Sequence, residues 1–345
     1  MTLILAEKDV SRVIKPDDMS FMAEVIQLMD DAYKEMGRGR VGLHQRVTVQ
    51  YPMGSGYYEG RFLRFLPSII PALGGAAVRV YSGHREGKEN LDEKRPDFIH
   101  GNETLLFYDY NHQMKLAAII NDRSVHEVRT GAPTGLATQY LAKRDASRVG
   151  LFGTGRQAGG QLRAVCAVRD IRTVSVFSPT KAHREGFAGR FTEELGIPVR
   201  PVGDPKDAVE GSDIVICSTN AGKPVFKGEW VQSGTHINSL SRGEIDRRTV
   251  QMCLPIVAAW TEQVLDDTPA REPYSSMIRD GSLTKNDMVE LADVVSGKVV
   301  ARDNDKRVTM FQSAGFGLWD SIIARAIYDK AIRAGAGIEL DLSGL

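Results

Sequence analysis

Apolar residues along the chain follow two different rhythms. Near the N-terminus, DDMSFMAEVIQLMDDAYKEM spaces them for a one-sided helix, whereas LLFYDYNHQMKLAAIIN predicts two strands joined by a polar turn at Asn111 and His112. Up to about residue 125 helical and strand patterns mix without regular order, which predicts an α+β lobe. From residue 148 the order becomes regular. RVGLF, TVSVF, DIVICST, GTHINSL and PIVAAW are short apolar strands separated by helical stretches or turns, the pattern of an α/β, doubly wound parallel sheet. Ligands of such sheets lie at the carboxyl ends of the strands, so STNAG and NSLSRGE fall where a cofactor belongs. Leu318, Ile322, Ile323, Ala326, Ile327 and Ala331 mark a long amphipathic helix outside that alternation, expected to return to the first lobe. Between Arg85 and Glu103 the chain is polar and charge-dense and reads as a surface excursion.

The segment VGLFGTGRQAGGQLRAV runs the first of these strands through a glycine turn into a helix. A helix N-terminus presents unpaired N–H groups and a positive dipole end, so a turn stripped of side chains there admits a phosphate. Gly153 serves the tight turn, Gly155 the approach of a pyrophosphate, and Ala158 the close packing of helix on strand. Ala158, Leu162, Val165 and Val168 recur at helical spacing after it.

Composition narrows the partners. The 345 residues allow two domains, and 44 Lys plus Arg balance 44 Asp plus Glu, so no net positive field gathers nucleic acid or an anionic membrane. Cys166, Cys217 and Cys253 are far apart in apolar runs, which fits reduced core thiols in a cytoplasmic protein better than disulfides or a metal site. The N-terminal apolar run is too short for a signal peptide, and no stretch is long enough to span a bilayer. His84 and His236 have no metal-ligating partner at useful spacing, and no metal is expected.

Several separated stretches together resemble the ornithine cyclodeaminase and mu-crystallin family: VRTGAPTGLATQYLA, GLFGTGRQA, STNAGKPVF with GTHINSL, and VTMFQSAGFGLWDSIIARAIYDKA. The resemblance implies a Rossmann domain over 126–315 and a substrate-binding and dimerisation lobe formed by 1–125 with 316–345, in a homodimer. It implies oxidation of amino acids, reduction of imines, or cyclisation of ornithine through a hydride lent to bound NAD. Arg46 matches the family's early substrate-carboxylate arginine, Arg129 matches the arginine between substrate and cofactor, and Arg79 stands where most members carry lysine. A guanidinium clamps a carboxylate but does not serve as an acid or base. A second departure is Gly243, at the place of the cyclodeaminases' catalytic aspartate. Glu244, Asp246 or water then remain as sources of the proton.

At the end of the second Rossmann strand, VFSPTKAHRE puts Ser178, Thr180, Lys181 and Arg184 where an NAD-specific domain carries an acid, which favours NADP(H) while leaving NAD(H) open. Thr154, Arg156 and Gln157 belong to the turn whose backbone meets the pyrophosphate, and Thr219, Leu240 and Ser313 match positions near the ribose and nicotinamide. The leading expectation is an NAD(P)H-dependent oxidoreductase that reduces a C=N bond next to a carboxylate in a small amino or imino acid. Alternatives are an ornithine-type cyclodeaminase with recycled NAD and a non-catalytic cofactor-binding protein of the same fold.

Overall fold

The structure, a computed structural model, describes residues 1–52, 60–86, 97–241, 243–266 and 272–342. Two compact units divide the chain, one comprising residues up to 129 and from 315 onward, the other residues 130–314. No helix among the described residues is long and apolar enough to cross a membrane.

The first unit is built on strands β1 (Thr2–Leu5), β2 (Gly42–Leu43), β3 (Val47–Pro52), β4 (Gly60–Ile70), β5 (Gly75–Glu86), β6 (Asp97–Asp109) and β7 (Lys115–Asn121). They pair in the order β1-β7-β6-β5-β4-β2, with β3 beside β4 and the C-terminal strand Ile338–Leu340 against β1. The helix Met19–Gly37 starts where the Asp18 carboxylate accepts from the N–H groups of Ser20 and Phe21, and it buries Phe21, Met22, Val25, Met29 and Tyr33.

The segment between Arg85 and Glu103 is strand at both of its ends. Arg85 pairs with Phe98 and Glu86 with Asp97, so the β5–β6 hairpin continues into the charged stretch from both sides. Ladder bonds use the backbone alone, and a polar sequence prolongs a hairpin that apolar residues have already registered. Residues 87–96, the rest of that stretch, lie outside the described residues.

Direct cross-strand partners share a face, so register sorts the side chains of this sheet. On one face Ser68, Ala77 and Phe107 form a row, followed by Leu66, Arg79 and Leu105, then by Arg64, Tyr81 and Glu103. The helix Gly317–Ala334 covers the apolar end of this face: Ser68 Oγ donates to the Gly317 carbonyl at 2.7 Å, and Tyr328 meets the Phe107 ring at 5.2 Å. The opposite face carries Phe65, Pro67, Ile69, Ala76, Val78 and Tyr108, with exposed Val47, Val49 and Tyr51 on β3.

The second unit is a wholly parallel sheet of β8 (Arg148–Phe152), β9 (Thr173–Phe177), β10 (Val199–Pro201), β11 (Ile214–Cys217), β12 (His236–Ser239), β13 (Ile256–Ala258), β14 (Met288–Glu290) and β15 (Thr309–Gln312), ordered β10-β9-β8-β11-β12-β15-β13-β14. Chain order reverses at β8, which opens a crevice beyond the carboxyl ends of β8, β9 and β11. The helix Arg156–Cys166 lies against the helix that ends at Leu141. A Cβ on Gly131 would stand 2.4 Å from the Gly160 carbonyl oxygen, and Thr134 Oγ1 donates to the Gln161 side chain. Strands β10, β14 and β15 were not expected from the apolar pattern.

Candidate active site

In the second unit the turn after β8 is shaped by backbone conformation. Gly153 sits at φ +100°, where an added Cβ would come within 2.2 Å of the Ser218 carbonyl oxygen, so glycine is required there. Gly155 has ordinary dihedrals and nothing within 4 Å of an added Cβ; it is the N-cap of the helix Arg156–Cys166 and supplies no capping side chain. The first N–H groups of that helix thus face open space over a bare turn, which fits a pyrophosphate. Ala158 is buried beneath the turn.

The turn opens into a cleft of about 1330 Å³. Gly153, Thr154, Gly155, Arg156, Gln157, Ser178, Thr180, Thr219 and Leu240 line it, joined by Phe177, His183, Arg190, Asn220 and Lys223, with no carboxylate among the described lining residues. Thr180 is the N-cap of the helix Lys181–Leu195, yet its hydroxyl makes no capping bond and remains available to a ligand. The guanidinium of Arg190 lies over the rings of Phe187 and Phe191 at 5.5 and 5.0 Å.

Three of the expected cofactor residues take other positions. Lys181 points to solvent and pairs with Glu185, one turn along its helix, at 3.8 Å. Arg184 Nη1 donates to the carbonyls of Ser178 and Pro179 at 3.0 and 3.3 Å, bracing the turn from behind. Ser313 ties β15 to β12 through its N–H and the Ser239 carbonyl, and it does not line the cleft. Positive charge at the cleft comes instead from Arg156, Arg190 and Lys223. The two last are surface cations that apolar periodicity does not flag.

Neither expected carboxylate is placed as a free acid. Glu244 is fully buried: one oxygen accepts from the N–H and hydroxyl of Thr219 at 2.5 and 2.8 Å, the other from the Ser241 N–H at 2.7 Å. It staples the loop after β11 to the loop after β12. Asp246 caps the helix Arg247–Met252, accepting from the N–H and hydroxyl of Thr249 at 2.7 Å, and also holds the Gly228 N–H at 2.9 Å. Gly243, in the loop after β12, has φ +97°.

In the first unit a charge cluster assembles from separate segments, and most of it escapes a sequence reading. Arg79 on β5, 2% exposed, donates through Nε to Asp122 at 2.9 Å and through Nη2 to Glu103 at 2.7 Å. Arg129 Nη1 lies 3.1 Å from Asp320, while Arg129 Nε is buried without an acceptor. Burial, with Arg129 adding to it, pushes His126 down to about 3, so its imidazole stays neutral beside Glu103. Burial pushes the Asp320 carboxyl up to about 6 against the pull of Arg129 and Arg79. Glu103, Asp122 and His126 converge closely enough to suggest a metal site, but the Arg79 guanidinium already donates into both carboxylates. Arg79 is therefore an internal strut rather than an open clamp. The sequence clues to this cluster are faint: the three-residue spacing of His126 and Arg129, and a lone Asp320 in an apolar helical run.

Arg46 is half-buried near Tyr81. His236 is enclosed in the second unit, with its ring nitrogens 3.0 Å from Thr309 Oγ1 and 3.2 Å from Asn238 Oδ1.

The profile of the ornithine cyclodeaminase/mu-crystallin family matches residues 6–335. A Δ1-pyrroline-2-carboxylate reductase of Bacillus cereus is 33% identical over 326 residues, covering 93% of this chain and 95% of that one. An alanine dehydrogenase of Archaeoglobus fulgidus is 24% identical, covering 98% of each chain. Among solved structures, that of the Δ1-pyrroline-2-carboxylate reductase of Thermococcus litoralis with NADH and L-proline superposes with a TM-score of 0.82 at 30% identity, covering 98% of this chain and 100% of that one. These similarities run through both units and through the glycine turn, and this chain belongs to the ornithine cyclodeaminase/mu-crystallin family.

Proposed function

We propose that the protein reduces the C=N bond of a cyclic imino acid whose imine carbon bears the carboxylate, with NADPH as the preferred reductant. The wider class, an NAD(P)H-dependent oxidoreductase of amino and imino acids, follows from the family and from a relative at 33% identity over nearly the whole of both chains. Gly243 carries the narrower reading. It occupies the place of the cyclodeaminases' aspartate in a left-handed backbone that disfavours any side chain. Expelling ammonia and closing a ring needs a proton relay there, whereas reducing a preformed imine does not.

Arg129 offers a buried Nε–H that makes no hydrogen bond among the described residues, its nearest carboxylate being Asp122 at 4.0 Å, and with Arg46 it would fix the substrate carboxylate. Arg79 would stand behind them, holding Glu103 and Asp122 in place. Bound NADPH supplies a hydride equivalent to the imine carbon. The preference for NADPH is supported by a cleft with three cations and no carboxylate among its described lining, and by the unused hydroxyl of Thr180 at a helix start. The protein is further proposed to act as a homodimer joined through the outer sheet face, where Val49 and Tyr51 are 60% and 76% exposed.

The test is nicotinamide absorbance during addition of Δ1-pyrroline-2-carboxylate, Δ1-piperideine-2-carboxylate, and equilibrated 2-oxo acids with ammonia or methylamine. The cyclic imines should consume NADPH with kcat/KM at least about tenfold above that with NADH, a gap of roughly 1.4 kcal/mol. Ammonia release from ornithine without net absorbance change would overturn the reading.

A further inference from the structure

We infer that Tyr81 is the acid that protonates the imine nitrogen, a role that rests on the reading above. Tyr81 lies on the same sheet face as Arg79, two residues along β5, and is half-buried. Arg64 is its direct partner on β4, and Arg64 Nη1 donates to the Tyr81 hydroxyl at 3.0 Å. A guanidinium only donates, so this bond uses an oxygen lone pair and leaves the phenol proton unengaged by Arg64. From below, the Arg79 guanidinium lies 4.7 Å from the ring centroid, and the Phe62 ring meets Tyr81 edge-on at 6.2 Å.

The charges facing this phenol come from every neighbouring segment. Arg64 stands on β4, Arg79 on β5, and Arg46 just before β3; the acid directly across from Tyr81 in the described sheet is Glu103 on β6, whose carboxylate is held by Arg79. Burial alone would raise the phenol's pKa, but Arg64 and Arg46, with the Arg64 hydrogen bond and Arg79, outweigh it and draw it below the ordinary tyrosine range. The same arginines would stabilise the phenolate left behind. One of them, Arg46, is also proposed to hold the substrate carboxylate, which sets the phenol near the group to be protonated.

The step balances. The Tyr81 O–H bond breaks as the C=N π pair moves to nitrogen and forms the N–H bond, the imine carbon would take up the hydride that NADPH supplies, and solvent returns a proton to the phenolate. This supplies the acid that the family's lysine and aspartate positions lack here.

Tyr81→Phe keeps the ring against Arg79 and removes only the hydroxyl. It should lower kcat about 100-fold, the usual scale of general acid catalysis, with KM for the cyclic imino acid changed less than about threefold, and it should abolish the alkaline limb of the pH–rate profile. Arg64→Gln should move that limb to higher pH. On the free protein, the ultraviolet absorbance of phenolate should show one early-titrating tyrosine that Tyr81→Phe deletes. Wild-type kcat and an unchanged profile in a folded Tyr81→Phe would overturn this proposal alone, as would a titration that Tyr81→Phe leaves unaltered. Failure of the wild type to reduce any imino acid would overturn both readings.

Discussion

Gly153 and Gly155 look alike in the sequence and differ in what the fold asks of them. An alanine at Gly153 meets both a left-handed backbone and a carbonyl oxygen at 2.2 Å, while an alanine at Gly155 meets only open space. Gly153→Ala should therefore lose roughly 1–3 kcal/mol of stability as a strained, overpacked site. Gly155→Ala should melt as the wild type does but bind NADPH at least about tenfold more weakly, because its methyl stands where a phosphate approaches. Equal melting losses in the two variants, followed by calorimetry, would contradict this distinction. The turn was legible because its glycine spacing and the strand and helix patterns on either side of it are local in sequence, whereas the Ser218 carbonyl that also excludes a side chain at Gly153 is not. Arg79 was legible only as an arginine near a site; its partners Glu103, Asp122 and Asp320 arrive from three other segments, and no local pattern announces their convergence. Arg79→Met should cost roughly 3–5 kcal/mol, since it strands two buried carboxylates, and denaturant midpoints would measure the loss.

At the level of elements, the strand–helix rhythm of the second unit was readable because each parallel strand is a short apolar run. Strand β15 lies within the family stretch VTMFQSAGFG, where it reads as a motif rather than as a strand, and β10 and β14 are only three residues long. Loops set by single buried side chains are less visible still. Glu244 looks like a spare acid, yet it holds the loops after β11 and β12 together. Thr219 and Ser241 both donate to it, so an acceptor-only carboxylate suits the place, and glutamine would turn its amide N–H₂ toward an N–H. Glu244→Gln should therefore weaken NADPH binding about as much as Glu244→Ala does, in the range of tenfold, read by fluorescence titration. Retention of wild-type affinity by Glu244→Gln would show that the staple does not depend on charge or acceptor count.

Over the whole molecule, buried titratable groups oppose one another as the pH falls. His126 and His236 titrate near 3 in the folded chain against 6.5 as free groups, both chiefly through burial, with Arg129 and Arg302 adding to it. Between those values the unfolded chain binds the extra protons, so this stability is present above pH 6.5 and is lost as pH falls toward 3. Asp320 runs the other way. Its folded pKa of about 6 exceeds its ordinary 3.8, so its contribution is present below 3.8 and is lost as pH rises through 6. Between pH 4.5 and 6 two histidine protons favour the unfolded chain and one aspartic proton favours the folded one, leaving one net proton and a slope of about 1.4 kcal/mol per pH unit. Asp320→Asn keeps the shape and removes the opposing proton, so urea unfolding across this range should show a slope about twice as steep as in the wild type. His236→Gln, at a site enclosed in the other unit, should flatten the slope toward zero. An Asp320→Asn slope equal to that of the wild type would mean that Asp320 is already ionised in the folded chain, its charge shared between Arg79 and Arg129, and that the cluster carries a fixed negative charge through the working pH range.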